Sequence, residues 1–241
     1  MTNKHNSTSR FKFVLSVLTI LAAVVSANAQ SEFTNTADNA AVEGSLPVLD
    51  SSDGSYTLKK GDNEFGLWGG GSMQATSIGG LRPDESRDRR FGLAAFRYGR
   101  TIVANNDLAL QYTFDAIPFA VATGNVEIIT VGSVTTLRRE TTYGGGITPL
   151  GLQLDFRNGS SLHPFVDVAG GGLIFNKPVP VPNAGKFAFV GEVGTGIRLF
   201  TSDKRVVTLG VRFHHLSNAA GATSNPGLNQ FVFYGGFSVF K

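Results

Sequence analysis

The stretch of the chain with the clearest chemical potential is 212–229, RFHHLSNAAGATSNPGLN. It contains two adjacent histidines, and Ser217 follows the second of them, His215, at a spacing of two residues. On a β-strand this spacing sends both side chains to the same face. A serine hydroxyl becomes an effective nucleophile when a neighbouring base takes its proton, and histidine serves as that base in many hydrolases. The pair is therefore a candidate for acyl transfer, and the alternative is two polar residues at a membrane interface.

The beginning of the chain predicts export. Residues 1–29 combine basic residues, an apolar run at 13–25 and an Ala-Asn-Ala sequence at 27–29, which is typical of a secretory signal peptide. The alternative, an anchor helix, needs about 20 apolar residues, more than this run supplies. The leader holds three of the 21 Lys and Arg residues and none of the 18 Asp and Glu residues, so the mature chain has 18 of each sign. The formal charge of +3 thus belongs to the leader and indicates no nucleic-acid partner.

The rest of the chain has the composition of an all-β protein. Charged residues are 16%, whereas about 25% is usual, and there are 30 Gly, 19 Phe and no Cys, which excludes a disulfide scaffold. Residues 30–62 are polar and rich in turn residues, and we expect a flexible N-terminal extension. From residue 63 onward, short apolar segments alternate with turn clusters and predict eight strands: 63–75, 91–103, 107–119, 140–156, 164–176, 187–200, 205–217 and 229–241.

The connections between these segments alternate in length. Those after the second, fourth and sixth segments are short, and the other four are longer. Short turns at one end and long loops at the other are typical of outer-membrane barrels, whose short turns lie in the periplasm. We therefore predict an eight-stranded antiparallel transmembrane β-barrel over residues 63–241.

The two faces of the later segments support a membrane barrel. In 187–200 and 205–217 the odd positions are mainly apolar, whereas the even positions carry Glu192, Arg198 and Arg212 among glycines. Small and charged residues suit the narrow interior of such a barrel, and an apolar face suits lipid. The alternative is a secreted lipocalin-like barrel that packs its apolar face around a ligand.

At this point the sequence resembles a known family. The string His215–Ala219, the later sequence Asn225–Asn229 and the upstream Pro164–Asp167 with its glycine run are similar to the PagL-type lipid A deacylases, also called outer-membrane acyloxyacyl hydrolases. The motifs cover roughly residues 160–241, and the resemblance over 63–159 is one of strand count. It implies an esterase in the outer membrane of a Gram-negative-type bacterium. Its substrate would be lipid A, or lipopolysaccharide, in the outer leaflet, and it would remove the acyl chain at the 3 position.

The resemblance also implies roles for particular residues. His215 matches the catalytic base, Ser217 the nucleophile, and Asn229 stands where the family has a glutamate. Asparagine accepts a hydrogen bond from the ring but supplies no negative charge. In a serine protease triad the change from Asp to Asn lowers kcat by about 10⁴. Three alternatives follow: a slow Ser-His-Asn site, recruitment of another carboxylate, or a catalytically weak or inactive barrel with a structural or lipid-binding role.

Further expectations concern the surroundings of this pair. A simple antiparallel pair would place Asn229 opposite Ser217 and diagonal to His215. Asn218 is a candidate oxyanion donor, and the small residues at 219–222 accompany it. The carboxylates on the same side of the membrane are Asp84, Glu85, Asp88 and Glu140.

The remaining polar residues divide into loop and interior groups. Arginines of the first long loop are candidates for binding lipid A phosphates, or else form a solvated cluster: Arg82, Arg87, Arg89 and Arg90, with Arg138 and Arg139 beyond the second loop. We expect His214 to be an interior residue and His163 a solvated turn residue. Asp167, Glu192, Arg198 and Arg212 would form a charge network in the lumen. No spacing of His or carboxylates predicts a metal site, and no cofactor is expected.

Overall fold

The computed structural model describes residues 56–72, 89–126, 138–201, 204–219, 221–223 and 227–241, and the backbone of two short strands at 130–131 and 134–135. The predicted leader 1–29 and residues 30–55 lie outside the described residues. The strands are β1 (Asn63–Gly71), β2 (Arg90–Ala104), β3 (Leu108–Val126), β4 (Thr130–Val131), β5 (Val134–Thr135), β6 (Arg138–Phe156), β7 (Leu162–Phe175), β8 (Phe187–Phe200), β9 (Arg205–Ser217) and β10 (Leu228–Phe240). Within the described ranges, no helix has the length and apolar character needed to cross a membrane.

Eight of these strands close into an antiparallel barrel, as the sequence predicts. The order around the barrel is β1-β10-β9-β8-β7-β6-β3-β2, and β4 and β5 form a separate hairpin. The short connections 105–107, 157–161 and 201–204 join β2 to β3, β6 to β7 and β8 to β9. They share one end of the barrel, and the longer connections share the other, so the short-turn end is the periplasmic one.

The pair formed by β3 and β6 is longer than predicted. Residues 120–139 were expected to form a loop, but pairing continues from Ala120 opposite Gly144 to Val126 opposite Arg138. Ala120 and Ala122 are fully buried, and the hydroxyl groups of Thr123 and Thr141 hydrogen-bond across the strands at 2.9 Å. Residues 120–126, AVATGNV, are mostly small or polar and include no large aromatic or leucine, so their sequence is hard to distinguish from that of a loop.

The outer surface of the barrel is an apolar belt. Its exposed side chains include Phe65, Leu67, Phe96, Phe119, Phe189, Val193, Leu209, Phe233 and Phe237. In β8 and β9 the odd positions point outward, and the even positions Glu192, Arg198 and Arg212 are buried. This orientation confirms the membrane barrel and shows that the secreted lipocalin-like alternative is wrong, because that fold would bury the apolar face.

The interior holds the predicted charge network. The Arg212 guanidinium contacts Asp167 and lies 3.0 Å from Glu192. Nearer the periplasmic end, Arg198 lies 2.8 Å from Glu64 and 3.0 Å from Asp155. A further ion pair joins Arg97 to Asp115 at 2.8 Å. Glycines make room for these groups: a Cβ at Gly210 would come within 2.7 Å of the Tyr234 ring. The lumen is therefore packed with side chains rather than open.

Residues 56–62, predicted to belong to the flexible extension, pack against the periplasmic end. Leu58 is 1% exposed and belongs to an apolar cluster with Phe200, Val206 and Phe240. Its backbone N–H donates to Asn158 Oδ1 at 2.9 Å, and Asn158 Nδ2 donates back to the Leu58 carbonyl at 2.9 Å. Burial and a hydrogen bond to Asp62 raise the pKa of Tyr56. The contacts of the barrel thus begin before residue 63.

His163 is not a solvated turn residue. It is fully buried, its ring stacks on Phe200 with 4.1 Å between centroids, and its Nε2 lies 2.8 Å from the Ser160 carbonyl. The strand β7 begins at Leu162, two residues earlier than predicted, which places His163 in the inward register with Phe165 and Asp167.

Candidate active site

His215 and Ser217 lie at the extracellular end of β9. The strand alternates strictly here, with His214 and Leu216 buried in the lumen and His215 and Ser217 half-buried on the outer face. The outer residue one step back along the strand is Phe213, whose ring packs edge-on against Phe231 of β10 with 5.7 Å between centroids. The two polar side chains therefore sit where the apolar belt meets the extracellular rim.

Asn229 lies opposite His215 rather than opposite Ser217. The register of β9 and β10 pairs Asn229 with His215 and Phe231 with Phe213. The ring Nδ1 of His215 donates to Asn229 Oδ1 at 2.5 Å, and Asn229 is only 4% exposed. The expected pairing of Asn229 with Ser217 is therefore wrong by two residues, because a shift of two leaves every side chain on the same face and side-chain alternation does not determine it.

The turn after Ser217 is tight. The backbone N–H of Ala219 donates to Ser217 Oγ at 3.1 Å, and Ala219 has a left-handed φ of 53°. The carbonyl of Asn218 accepts from the Gly221 N–H at 2.9 Å, and the Asn218 side chain is buried. A Cβ on Gly185 would lie 3.7 Å from the Cβ of Asn218, so the connection between β7 and β8 runs alongside this turn.

The candidate replacement carboxylates are engaged elsewhere or lie outside the described residues. Glu140 is 2.9 Å from Lys177 Nζ and 3.6 Å from Arg138. Glu192 lies on β8, the strand next to β9, but its side chain faces the lumen, 3.0 Å from Arg212. Asp84, Glu85 and Asp88 lie outside the described residues. The Nδ1 partner of His215 is therefore the amide of Asn229.

The arginines of the first long loop are placed differently from one another. Arg82 and Arg87 lie outside the described residues. Arg89 is fully buried, and its guanidinium donates to the Glu140 carbonyl at 2.7 Å and to Thr142 Oγ1 at 3.4 Å. The Arg89 side chain therefore lies inside the barrel and is not exposed on the surface of the loop. Arg90, Arg138 and Arg139 are exposed at the extracellular side.

Two interior residues complete the surroundings of the pair. His214 is buried as predicted, stacked on Phe91 with 4.6 Å between centroids and 3.5 Å from Glu192. Gln230, which was not predicted to be a site residue, is fully buried next to Asn229. Its Oε1 accepts from Ser72 Oγ, and its Nε2 donates to the Arg89 carbonyl at 2.6 Å. The feature of the sequence that could have identified Gln230 is a polar residue at an inward-facing position of β10.

Among the described residues, no group of three or more His, Asp and Glu side chains has an arrangement that would hold a metal ion. Glu192, His214 and Asp167 do lie close together in the lumen, but both carboxylates there contact the Arg212 guanidinium. The chemistry that these residues offer at the outer surface is therefore that of the His215, Ser217 and Asn229 side chains.

A closed eight-stranded barrel with an apolar belt and a charged interior defines this chain as an outer-membrane β-barrel protein. The family model for lipid A 3-O-deacylase (PagL) matches residues 108–238, more than half of the chain. The chain belongs to this lipid A 3-O-deacylase family. Among curated proteins there is no significant match.

Several solved barrels are similar in fold. The crystal structure of the outer membrane enzyme PagL is 16% identical, covers 74% of this chain and 98% of its own, and has a TM-score of 0.41. Neisserial surface protein A is 12% identical over 75% of this chain and 97% of its own, with a TM-score of 0.43. The N-terminal barrel of Pseudomonas aeruginosa OprF is 9% identical over 76% of this chain and 98% of its own, with a TM-score of 0.40.

Proposed function

We propose that this protein removes the ester-linked acyl chain at the 3 position of lipid A in the outer leaflet, with Ser217 as nucleophile and His215 as base. The observation that carries the proposal is the 2.5 Å contact between His215 Nδ1 and Asn229 Oδ1, on the outer face and beside Ser217. A base held by a third residue next to a serine is the arrangement that nucleophilic catalysis requires.

The hydrogen bond to Asn229 determines which nitrogen of the His215 ring can act as the base. Because Nδ1 carries the proton that Asn229 accepts, Nε2 is the basic nitrogen. Ser217 Oγ accepts from the Ala219 N–H and keeps its own proton to donate. In the proposed reaction Nε2 takes that proton as Oγ attacks the ester carbonyl, and the imidazolium then gives it to the sugar oxygen as the ester C–O bond breaks, so that the sugar leaves as a free hydroxyl. Water activated by Nε2 hydrolyses the acyl-serine and releases the fatty acid.

The uncharged third member limits this reaction. Asn229 orients the ring but does not stabilise the imidazolium by charge, and its burial shields the contact from water. We therefore propose a slow hydrolase. Asn218 is the proposed oxyanion donor, since it follows the nucleophile directly in the tight turn. Exposed Arg90 and Arg139 are the proposed contacts for lipid A phosphates, together with Arg82 and Arg87.

The second candidate is a barrel of this family without catalysis, serving envelope structure or lipid binding. Asn229 favours it, because a carboxylate is missing from the position that the family uses for its glutamate. The two candidates differ in whether lipid A loses a chain.

Mass spectrometry of lipid A from cells that express the protein tests the proposal. We expect loss of one 3-hydroxyacyl chain with the parent, and intact lipid A with Ser217→Ala and with His215→Ala. Ser160→Ala, in a periplasmic turn, is the control and should behave like the parent. Intact lipid A from cells with well-folded parent protein would refute hydrolysis and support the second candidate.

A further inference from the structure

Exposed cations lie along one side of the periplasmic end of the barrel. Arg100 of β2 and Arg205 of β9 point outward there, and β1 and β10 lie between their strands. Neighbouring strands are about 4.8 Å apart, so the two strands are separated by about 14 Å along the wall. Three exposed lysines adjoin them on the turn before β9 and on the cap at 56–62: Lys59, Lys60 and Lys204. We call these two arginines and three lysines the basic rim.

The rest of the periplasmic end has a different charge. Its turns 105–107 and 157–161 contain one cation, Arg157, and one carboxylate, Asp107, which balance each other. On the side of the basic rim, the carboxylate of Asp62 accepts hydrogen bonds from a tyrosine O–H and from a backbone N–H. The excess of positive charge is therefore concentrated on one side, which indicates a partner of negative charge rather than a general need for solubility.

The basic rim lies at the periplasmic edge of the apolar belt. The strand β9 runs from Arg205 to Ser217, and 13 residues at about 3.3 Å each, tilted by about 40°, cover about 30 Å of height. The apolar band of an outer-membrane barrel is about 25 Å tall, so the two ends of β9 lie at its two edges. Exposed apolar side chains begin directly above the rim, at Phe65, Val207 and Phe237. The cations are therefore at the depth of the lipid headgroups in the periplasmic leaflet.

Neighbouring residues hold Arg100 at this depth. Arg100 pairs with Asn63 of β1, whose Oδ1 accepts from the Arg100 guanidinium at 3.4 Å and from the Tyr98 hydroxyl at 2.9 Å. The Tyr98 ring lies 5.5 Å from that of Phe65, and aromatic side chains of this kind are enriched at membrane interfaces. A guanidinium has five N–H donors, so Arg100 can bind Asn63 and still form the paired hydrogen bonds that phosphate oxygens accept.

We propose that the basic rim binds the phosphate group of an anionic phospholipid, such as phosphatidylglycerol, in the periplasmic leaflet of the outer membrane. Arg100 and Arg205 contact the phosphate oxygens, and the acyl chains lie against Phe65 and Phe237 of the belt. A zwitterionic lipid also has a phosphate, but the basic rim repels its ammonium group, so the site selects a lipid of net negative charge. The inference concerns the end of the barrel opposite to Ser217 and does not depend on the proposed hydrolysis.

Native mass spectrometry of the protein in detergent measures this selectivity. The protein would be mixed with equal amounts of dioleoyl phosphatidylglycerol and dioleoyl phosphatidylethanolamine, and the retained lipids would be counted. A cation near an anionic lipid raises the affinity about fivefold, so we expect the parent to retain about tenfold more of the anionic lipid. Arg100→Gln combined with Arg205→Gln should bring this ratio close to one. Lys59→Gln combined with Lys60→Gln, on the cap and farther from the belt, should lower the ratio less.

The matched control removes two exposed cations elsewhere. Arg157→Gln acts on the opposite side of the periplasmic end, and Lys186→Gln acts at the extracellular end. We expect the variant that combines them to keep the ratio of the parent, and a heat-dependent gel shift would show that each protein is folded. A parent that retains the two lipids equally, or a control that loses selectivity as Arg100→Gln with Arg205→Gln does, would overturn the proposal.

A second measurement locates the bound lipid. The probe is a phosphatidylglycerol with a photoreactive diazirine in the acyl chain, close to the ester carbonyl. We expect its cross-links to concentrate at Phe65, Tyr98 and Phe237 and to fall when both arginines of the basic rim are replaced by glutamine. Equal cross-linking of Leu108 and Leu152, which are exposed on the opposite side of the belt, would overturn the proposal.

Cosedimentation with purified peptidoglycan tests the other anionic partner that the periplasm offers. We expect the parent and the variant that lacks Arg100 and Arg205 to cosediment equally little. Cosedimentation that requires these two arginines, in a protein that retains both phospholipids equally, would assign the basic rim to the cell wall and overturn the proposal.

Discussion

Asn229 lies directly opposite His215 on adjacent antiparallel strands, with 2.5 Å between its Oδ1 and the ring Nδ1. In the proposed site, this amide stands where a catalytic triad has its acid, and it offers an acceptor oxygen but no charge. Because Asn229 is buried beside an apolar belt, a charge there would act through a lower dielectric than that of water and would stabilise an imidazolium more strongly.

The first prediction is that a carboxylate at this position raises the rate. Asn229→Asp keeps the side-chain length and places a charged oxygen where Oδ1 now lies, and Asn229→Glu restores the residue type of the family. We expect the rate of ester hydrolysis to rise by about tenfold or more in the variant that retains the contact, with about 10⁴ as the upper bound from serine protease triads. Asn229→Ala should lower the rate, because nothing then orients the ring.

Initial rates on p-nitrophenyl esters and the lipid A profile would both report this change. Asn125→Asp, on β3, adds the same charge far from His215 and should leave the rate unchanged. The role of Asn229 would be refuted by Asp and Glu variants that fold without any gain, together with an Ala variant as active as the parent.

The second prediction concerns the residues that cap the periplasmic end. Leu58 is buried among Phe200, Val206 and Phe240, so Leu58→Ala should lower the free energy of unfolding by about 2–5 kcal/mol. The temperature at which the folded band disappears in gel electrophoresis would measure the loss. Lys59→Ala, at an exposed neighbouring position, should change it little.

Truncations give the same comparison at the level of segments. Deletion of residues 30–55 should leave the barrel stable in detergent, whereas deletion of 30–62 removes Leu58 and its hydrogen bonds with Asn158. Equal stability of the two truncated proteins would show that the cap contributes nothing.

The third prediction concerns the charge network in the lumen. Arg212→Met removes the cation that contacts Asp167 and Glu192 and leaves both carboxylates buried without it. Loss of one partner of a buried ion pair costs about 3–5 kcal/mol, so urea unfolding should begin at a clearly lower concentration. Combining Arg212→Met with Asp167→Asn and Glu192→Gln should recover part of the stability. Arg139→Met, at an exposed position, is the control. If Arg212→Met alone is as stable as Arg139→Met, the prediction is contradicted.

The sequence predicted the faces of the strands better than their register. Side-chain alternation has a period of two, so the parity of Glu192, Arg198 and Arg212 was enough to separate the lumen from the lipid face. A shift of two residues preserves parity, and for that reason the predicted pairing of Asn229 with Ser217 was wrong although the predicted outward face was right. The contact of Leu58 with Asn158 joins positions 100 residues apart, and no local pattern reports it.

The last prediction concerns Gln230, whose neighbour on the chain is Asn229. The buried Gln230 amide accepts from Ser72 Oγ and donates to the Arg89 carbonyl at 2.6 Å, which fixes the beginning of β10 against β1 and the beginning of β2. Gln230→Leu leaves the Arg89 carbonyl without this donor, a loss of about 1–3 kcal/mol in stability. If the same contacts also hold Asn229 against the ring, kcat should fall severalfold while KM changes little.

The NMR resonance of the His215 Nδ1 proton separates positioning from mere stability. A held ring keeps that proton in its hydrogen bond and gives a sharp downfield signal, whereas a loosened β10 would broaden it. Ser238→Ala, at a buried lumen position near the other end of β10, should lower stability without altering the signal. If Gln230→Leu lowers stability but leaves both kcat and the Nδ1 resonance as in the parent, Gln230 contributes to folding alone, and Asn229 is positioned by the pairing of β9 with β10.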